Sequence, residues 1–266
     1  MRYEIGEDRC LTRFGSPVRE RQLAHATLGF VLSGWFDYHA QSGSVSAVPG
    51  SVLFGNEGEH FSCHHFDENG IRRLVAEFDE QFLEEIADSV GLSKVRFNCV
   101  AAPPGKFSAM TYARMRRLSL APSDDDEAAY ELAASALLTH EDSRSHVRVT
   151  TRNRVRMLKV LQHIAMHYPS PCPLRGLAEL ALMSPYYFLR VFKQVVGLSP
   201  TQYVINVRLR AALELLLTTC MPITEVSHSV GFTDISHFNA SFKAQIGCSP
   251  GTWRYSPRSP QSQLAS

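Results

Sequence analysis

The chain lacks the features that mark several protein classes. It holds only two tryptophans, and its six cysteines (Cys10, Cys63, Cys99, Cys172, Cys220 and Cys248) stand singly, with no Cys-x2-Cys pair. That spacing excludes a dense disulfide framework and a zinc ribbon, and fits reduced thiols in a cytoplasmic protein. Long apolar runs are missing as well. The longest stretch without a charge, Tyr38 to Asn56, has 19 residues, but seven are Ser or Gly and one is Pro49; it would make a poor membrane helix. The N-terminus, MRYEIGEDR, is charged from the start, with no apolar signal core behind it. What is present is ordinary for a folded protein: 266 residues, 44% hydrophobic and 20% charged, a length of one or two domains. Disorder and low-complexity repeats are excluded as the main state.

The near-neutral net charge of +1 conceals a division. Residues 1–150 carry 15 Lys and Arg against 22 Asp and Glu, whereas residues 151–266 carry 12 against 4. The first half is acidic by −7 and the second basic by +8. Clustered Lys and Arg displace the counterions condensed on nucleic-acid phosphates, so the second half is a candidate for a polyanionic partner. Charge alone is equally compatible with two solvated surfaces of different composition.

An internal repeat gives the charge a context. Phe188, Phe192, Lys193, Gly197, Ser199, Pro200 and Tyr203 recur as Phe238, Phe242, Lys243, Gly247, Ser249, Pro250 and Trp253, every position offset by 50. Phe188, Val191, Phe192 and Val195 follow i, i+3, i+4, i+7, one apolar face of a helix, and Phe238, Phe242 and Ile246 do the same. Gly197 and Gly247 suit the left-handed residue that ends a helix. Ser199-Pro200 and Ser249-Pro250 read as N-cap plus first-turn proline, with Gln202 completing a capping box. A shorter helix precedes each copy: Leu174 to Ala181 before Ser184-Pro185, and Pro222 to Val230 before Thr233-Asp234. Short helix, tight turn and second helix make a helix-turn-helix arrangement. Tyr203 to Leu217 is helical in period, with Val204, Val207, Ala211 and Leu215 apolar, and joins the units. Asn153 to Tyr168 opens the domain, packing through Val155, Leu158, Leu161, Ile164 and Ala165.

The stretch Arg208-Leu209-x2-Ala212-x2-Leu215-Leu216, then Ile223-Thr-Glu-Val226-Ser-x2-Val230-Gly231-Phe232, then His237-Phe238-x3-Phe242-Lys243-x3-Gly247-x-Ser249-Pro250 resembles the signature of AraC/XylS-type transcription regulators. The wider likeness runs from Thr151 to Tyr255. It implies a seven-helix domain with two helix-turn-helix units joined by one long helix, each placing a recognition helix in the major groove of double-stranded DNA. It also implies a regulator rather than an enzyme, an activator working with RNA polymerase, and a homodimer.

On the first recognition helix the surface opposite the core carries Tyr186, Tyr187, Leu189 and Arg190 as base readers. Arg190 is the strongest, because a guanidinium can bridge guanine O6 and N7. On the second, Ser236, His237 and Asn239 take the matching positions, Asn239 suiting adenine N6 and N7. Family members resemble one another in having Arg where this chain has Ala240, so the second helix is expected to discriminate less and position more. Ser184, Ser199, Thr233 and Ser249, at helix N-termini, and Lys193 and Lys243 are phosphate-contact candidates.

The acidic half reads differently. Ala24 to Phe36 and Val45 to Phe54 are β-rich and broken by Gly/Ser turns, which suggests a sandwich or small barrel. Gly43-x5-Pro49-Gly50 followed by a strand is similar to the turn of cupin-like barrels. The fold class expected is therefore α+β: an N-terminal cupin-like β-barrel with a helical appendage, then an all-α domain with two helix-turn-helix units. The barrel occupies about 10–80, helices about 81–140 (Phe82 to Val90, Phe107 to Leu118 and Asp124 to His140, the last capped by Ser123), the polar linker Glu141 to Thr151 sets a boundary near 148, the DNA-binding domain covers 149–256, and 257–266 form a flexible tail. In AraC-type regulators such a barrel often senses a small molecule, and Trp35, Tyr38, His39 and His65 are candidates to line its pocket. In a strand Cys63 and His65 share one face and His60 and His64 the other. Cys63 and His65, two ligands on one face, could begin a metal site with His39, but the fuller His-x-His plus Glu set is missing; no metal or cofactor is assigned. Two alternatives stay open: a cupin-type metal-dependent enzyme with an accessory DNA-binding domain, and an effector-independent regulator controlled by a protein partner.

Overall fold

The structure, a computed structural model, describes residues 2–10, 20–66, 70–120, 126–139 and 149–255. Ser123 to Asp125, most of the expected linker (Glu141 to Arg148) and the expected tail lie outside the described residues. In chain order the elements are β1 (Tyr3–Cys10), β2 (Arg21–Gln22), β3 (Ala26–Ser33), β4 (Phe36–Ala40), β5 (Gly43–Ala47), β6 (Val52–Gly55), β7 (His60–His65), β8 (Ile71–Phe78), α1 (Glu80–Ser89), β9 (Ala101–Ala102), α2 (Lys106–Leu120), α3 (Asp126–Leu137), α4 (Thr151–His167), α5 (Leu174–Leu180), α6 (Pro185–Val196), α7 (Pro200–Thr218), α8 (Ile223–Ser229), α9 (Ile235–Ile246) and α10 (Pro250–Tyr255). They divide into two compact units, Met1–Pro103 with Arg114–Val147, and Pro104–Ala113 with Arg148–Ser266. No described helix is long and apolar enough to cross a membrane.

Unit 1 is built on two antiparallel sheets, ordered β1-β8-β3-β6-β9 and β2-β7-β4-β5. Alternation of side chains along each strand sends one face of each sheet inward. Val31, Leu53 and Ile71 from the first sheet meet Phe36, Tyr38 and Ala47 from the second in one buried cluster. Neither sheet closes on itself or joins the other among the described residues, so unit 1 presents two facing open sheets there and the expected barrel is not seen closed. Two of the four edge strands, β2 and β9, have only two residues each, too few to carry a long ladder onward. The long expected strands are also cut in two. Between β3 and β4 the chain passes from one sheet to the other through Gly34, at φ +93°, where a Cβ would sit 2.7 Å from the Gly70 carbonyl oxygen.

Strand β1 lies ahead of the two strands that the sequence singled out. It pairs with β8 along its whole length, from Tyr3 opposite Phe78 to Cys10 opposite Ile71. On the outer face of this sheet Phe78 stacks on Phe82 of α1, ring centres 6.4 Å apart. Asp79 caps α1, its carboxylate accepting from Gln81 N–H at 3.0 Å.

In unit 2 the helical expectations hold closely. Ser184 caps α6, and Ser199 forms the capping box with Gln202 at the start of α7. Gly197 and Gly247 end α6 and α9 in the left-handed region, at φ 87° and 91°. Three details differ. The buried face of α4 is Met157, Val160, Leu161 and Ile164, while Val155 is 51% exposed; the i, i+3, i+4, i+7 set begins two residues later than the sequence suggested. On α6 the last buried residue is Val196 rather than Val195. Helix α7 buries residues on nearly every side, including Tyr203, Asn206, Leu209, Leu213 and Leu216. A helix buried all round is the core of its domain rather than a simple connector.

Arg208 ties that central helix to the rest of the unit. Its Nε donates to the Tyr168 carbonyl at 2.7 Å and its Nη2 to the Ser170 carbonyl at 3.0 Å, and the guanidinium lies 5.8 Å from the centre of the Phe232 ring. The end of α4, the middle of α7 and the turn of the second helix-turn-helix thus meet at one side chain.

Candidate functional site

The two recognition helices, α6 and α9, each follow a short helix and a tight turn. Phe188 and Phe192 anchor the first, with ring centres 5.5 Å apart, and Phe192 meets Tyr203 of α7 at 5.7 Å. Phe238 and Phe242 anchor the second at 5.8 Å, with Phe232 packed edge-on against Phe238 at 5.2 Å. These four phenylalanines are fully buried. The i, i+4 pairs therefore fix which face of each helix turns outward.

The outward faces carry every proposed base reader: Tyr186, Tyr187, Leu189 and Arg190 on α6, and Ser236, His237 and Asn239 on α9 are all exposed. Tyr186, at 82%, is the most exposed large hydrophobic side chain among the described residues of the unit. Arg190 does not extend freely. Its guanidinium lies over the Tyr187 ring, 5.2 Å from its centre, and Asn153 Nδ2 donates to the Tyr187 hydroxyl at 3.0 Å. Asn153 of α4 thereby steadies the ring on which Arg190 rests, a role that no pattern in the sequence announced.

The two helices begin differently. Ser184 Oγ accepts from Tyr187 N–H at 3.4 Å. The second helix was expected to start at Thr233, but its cap is Asp234, whose carboxylate accepts from Ser236 N–H at 2.9 Å and His237 N–H at 3.3 Å. Adjacent Thr and Asp are both good caps, and the anion wins by offering two oxygens to two donors. The tip of α9 is consequently acidic, with those two N–H groups already satisfied. Ser199 and Ser249 likewise accept from their own first turns, at 3.3 and 3.0 Å. Lys193 and Lys243 are exposed near the C-terminal ends of the recognition helices.

In unit 1 the four proposed effector residues do not come together. Tyr38 lines a cavity of about 450 Å³ between the two sheets. Trp35 is buried elsewhere, its Nε1 donating to Ser46 Oγ at 2.8 Å. His39 projects from the opposite face of β4 to Tyr38 and bonds Ser44 Oγ at 2.9 Å. His65, buried, has its Nε2 3.6 Å from Cys10 Sγ, and its Nδ1 has no hydrogen bond among the described residues. The expected sharing of a face by Cys63 and His65 is seen, but His39 is not with them, being opposite Ser62 rather than Cys63. Burial raises the Cys63 thiol to about 11, and burial together with the positive charge of Arg73 lowers the His65 imidazolium's acidity range, which favours the neutral ring. Among the described residues no three His, Cys, Asp or Glu side chains converge as metal ligands.

Residues 177–256 match a family model described as a helix-turn-helix domain. Residues 177–256 form an AraC-type helix-turn-helix domain. The chain is similar to the Msm operon regulatory protein of Streptococcus mutans, 31% identical over 130 residues, 47% of this chain and 45% of that protein. It is also similar to the HTH-type transcriptional regulator MtrA of Neisseria gonorrhoeae, 43% identical over 74 residues, 28% of this chain and 25% of that one. The chain thus spans less than half the length of these relatives. Among solved structures, the DNA-binding domain of AdpA, a global transcriptional factor in complex with a target DNA, is 29% identical and covers 39% of this chain and 93% of that one, with a TM-score of 0.38. The AraC-type domain of the present chain carries both of its recognition helices within the described residues, one in each half of the repeat.

Proposed function

We propose that the protein is a sequence-specific transcription regulator that binds double-stranded DNA through α6 and α9, with unit 1 sensing a small molecule or mediating homodimerisation. The observation that carries this reading is the paired geometry of unit 2. Two helices related by a 50-residue repeat turn their polar faces outward from one buried central helix. The basic balance of residues 151–266 supports the same partner, because phosphate neutralisation supplies most of non-specific affinity.

In this reading Arg190, Tyr186, Tyr187 and Leu189 read bases from the first helix, and Ser236, His237 and Asn239 from the second. Ser184, Ser199, Ser249, Lys193 and Lys243 contact phosphates, and Thr233 does so from just outside the α9 cap. The regulator acts in the cytoplasm as an activator that engages RNA polymerase. Unit 1 belongs with cupin-like sensor domains, and an effector bound there shifts the population of DNA-binding arrangements by its differential affinity for them.

Selection of bound duplexes from a random pool by the full chain tests the core of this reading. The expected result is an enriched motif with two segments on one face of the DNA, and affinity that falls steeply as salt rises. Retention that is indifferent to both sequence and salt overturns it.

A further inference from the structure

The cavity in unit 1 has a floor that the fold itself does not explain. Three rows cross the inner face of the first sheet. In the middle row Gly6 of β1, Val75 of β8, Gly29 of β3 and Leu53 of β6 stand opposite one another in register. Glycine inside a strand weakens it and often marks the close approach of another group. Neither glycine here has a positive φ. A Cβ on Gly6 would meet nothing within 4 Å, and one on Gly29 would meet only Leu53 Cβ at 3.7 Å and Arg73 Cδ at 3.9 Å, ordinary contacts. Backbone geometry and packing would both accept a side chain at these positions. What the missing side chains provide is the space above them, part of the cavity of about 450 Å³, a volume within the usual range of small-molecule sites.

The rows on either side carry opposite charge. Toward one end Glu4 stands directly opposite Glu77. Like charges in that relation are destabilising, and neither carboxylate forms an ion pair or hydrogen bond among the described residues. Toward the other end Arg73 pairs with Asp8, and Arg21 joins the lining. Two guanidiniums stand there against the one carboxylate of Asp8, so the second end is net positive. Glu7 also lines the cavity but is paired with Arg72 at 2.8 Å. Between the charged ends, the walls opposite the glycine row are the Tyr38 and Phe61 rings, 5.5 Å apart, and Leu23.

We propose that this cavity binds a small dipolar molecule, with an ammonium group held by Glu4 and Glu77, an apolar body on the Gly6–Gly29 floor, and a carboxylate held by Arg21 and Arg73. The inference rests on the reading of unit 1 as a sensor and adds the class of its ligand. The rows of Glu77 and Arg73 are four residues apart along β8, roughly 13 Å at the rise of an antiparallel strand. Allowing about 3 Å for a hydrogen bond at each end leaves about 7 Å between the two charges. That separation suits an ω-amino acid of about six carbons or a short peptide, and is too long for the charges of a single α-amino acid.

The test uses the full chain and three probes of equal length: 6-aminohexanoate, hexylamine and hexanoate. Thermal unfolding is followed together with hydrogen exchange of β1 and β8. The expected result is a rise in melting temperature of at least about 2 °C, increasing with concentration, for 6-aminohexanoate alone, with added exchange protection in those strands. The Glu4→Gln/Glu77→Gln pair should abolish the preference over hexanoate, and Gly29→Val should abolish binding; Gly6→Val, on the edge strand, serves if Gly29→Val does not fold. Equal or larger shifts with hexylamine or hexanoate overturn the dipolar class. No shift with any probe, or shifts unaffected by both glycine variants, overturns the site. Salt-dependent retention of the same preparations on duplex DNA reports separately on the regulator reading, which stands or falls without the cavity.

Discussion

Gly231 and Gly247 offer a controlled comparison of two strains in one domain. Both are glycines with strongly positive φ, 94° and 91°. They differ in what an added Cβ would meet. At Gly247 there is open space; at Gly231 the Cβ would lie 2.4 Å from the Pro169 carbonyl oxygen and 2.8 Å from that residue's C and Cα. The left-handed conformation costs an L-residue about 1–2 kcal/mol, and reduced freedom of the unfolded chain returns about 0.5–1 kcal/mol on changing Gly to Ala. Gly247→Ala should therefore destabilise by about 1 kcal/mol. Gly231→Ala carries the same balance plus a backbone clash that no rotamer can relieve, and forced overpacking costs about 1–3 kcal/mol more. Its expected loss is about 2–4 kcal/mol. Urea unfolding of the full chain, followed by Trp253 fluorescence in a Trp35→Phe background, isolates unit 2. The midpoint should move at least twice as far for Gly231→Ala. Equal shifts would show that the approach of Pro169 to the second turn is not a fixed contact, and the meeting of α4, α7 and that turn at Arg208 would be in doubt with it.

Other consequences follow from the same geometry. Arg190→Ala should cost more sequence discrimination than Asn239→Ala in binding assays at fixed salt, since a bidentate base contact is worth about 1–3 kcal/mol and Arg190 is steadied over the Tyr187 ring while Asn239 stands beside Ala240; equal losses count against the unequal roles of the two helices. Asn153→Ala should reduce discrimination at the base read by Arg190 while leaving the salt slope unchanged, and a change in slope alone would mean that Asn153 only touches phosphate. Asp234→Ala should lower stability by about 1 kcal/mol through loss of the cap yet tighten binding to random duplex DNA, because an anion leaves the end of α9 that the proposed reading turns toward the groove; weaker binding would refute that placement of the charge. Glu59→Gln should destabilise unit 1 near neutral pH. Burial alone would raise this carboxyl, but hydrogen bonds from Ser42 and Asn56 outweigh burial and hold it below its ordinary value. A lowered folded-state value contributes stability above the unfolded value, near pH 4.3, and loses it as pH falls through that range. The difference between wild type and variant should accordingly vanish in acid, as read by Trp35 fluorescence in a Trp253→Phe background, and a constant difference down to pH 3 would exclude the carboxylate as its source.

The helical unit was legible because its signals are local. Ser184-Pro185, Ser199-Pro200 with Gln202, and Gly197 and Gly247 each act within one turn of the residue they announce, and the 50-residue repeat let one copy corroborate the other. Where local signals competed, position slipped by one or two residues: Asp234 displaced Thr233, and the buried face of α4 began at Met157. The sheets of unit 1 were far less legible. Strand β1 carries Glu4, Glu7, Asp8 and Arg9, looks like a solvated segment, and finds its partner β8 nearly seventy residues away. The cavity was unreadable for the same reason. Gly6 and Gly29 form one floor only after three strands align, and Glu4 meets Glu77 only in that register. His39 and Tyr38 were adjacent candidates in sequence, but a strand's period of two sends them to opposite faces.

The repeat also clarifies how one frame can perform two tasks. Burial in the two copies is nearly the same: paired phenylalanines inward, a left-handed glycine at the end, a serine-proline start to the next helix. What differs is confined to the tips. The first copy has a neutral Ser184 cap, an exposed aromatic and aliphatic surface, and Arg190 steadied on Tyr187. Its turn even holds Leu182 at φ +52°, 74% exposed, where the second copy has Gly231. The second copy has the acidic Asp234 cap and Ala240. Because the differences lie where burial energy is not at stake, they can vary without disturbing the fold. Their energetic weight falls on the partner instead. A strained, exposed leucine and an acidic helix tip both carry a cost that folding alone does not recover, and the proposed division of labour, with one helix reading the DNA and the other positioning it, would supply a reason for each.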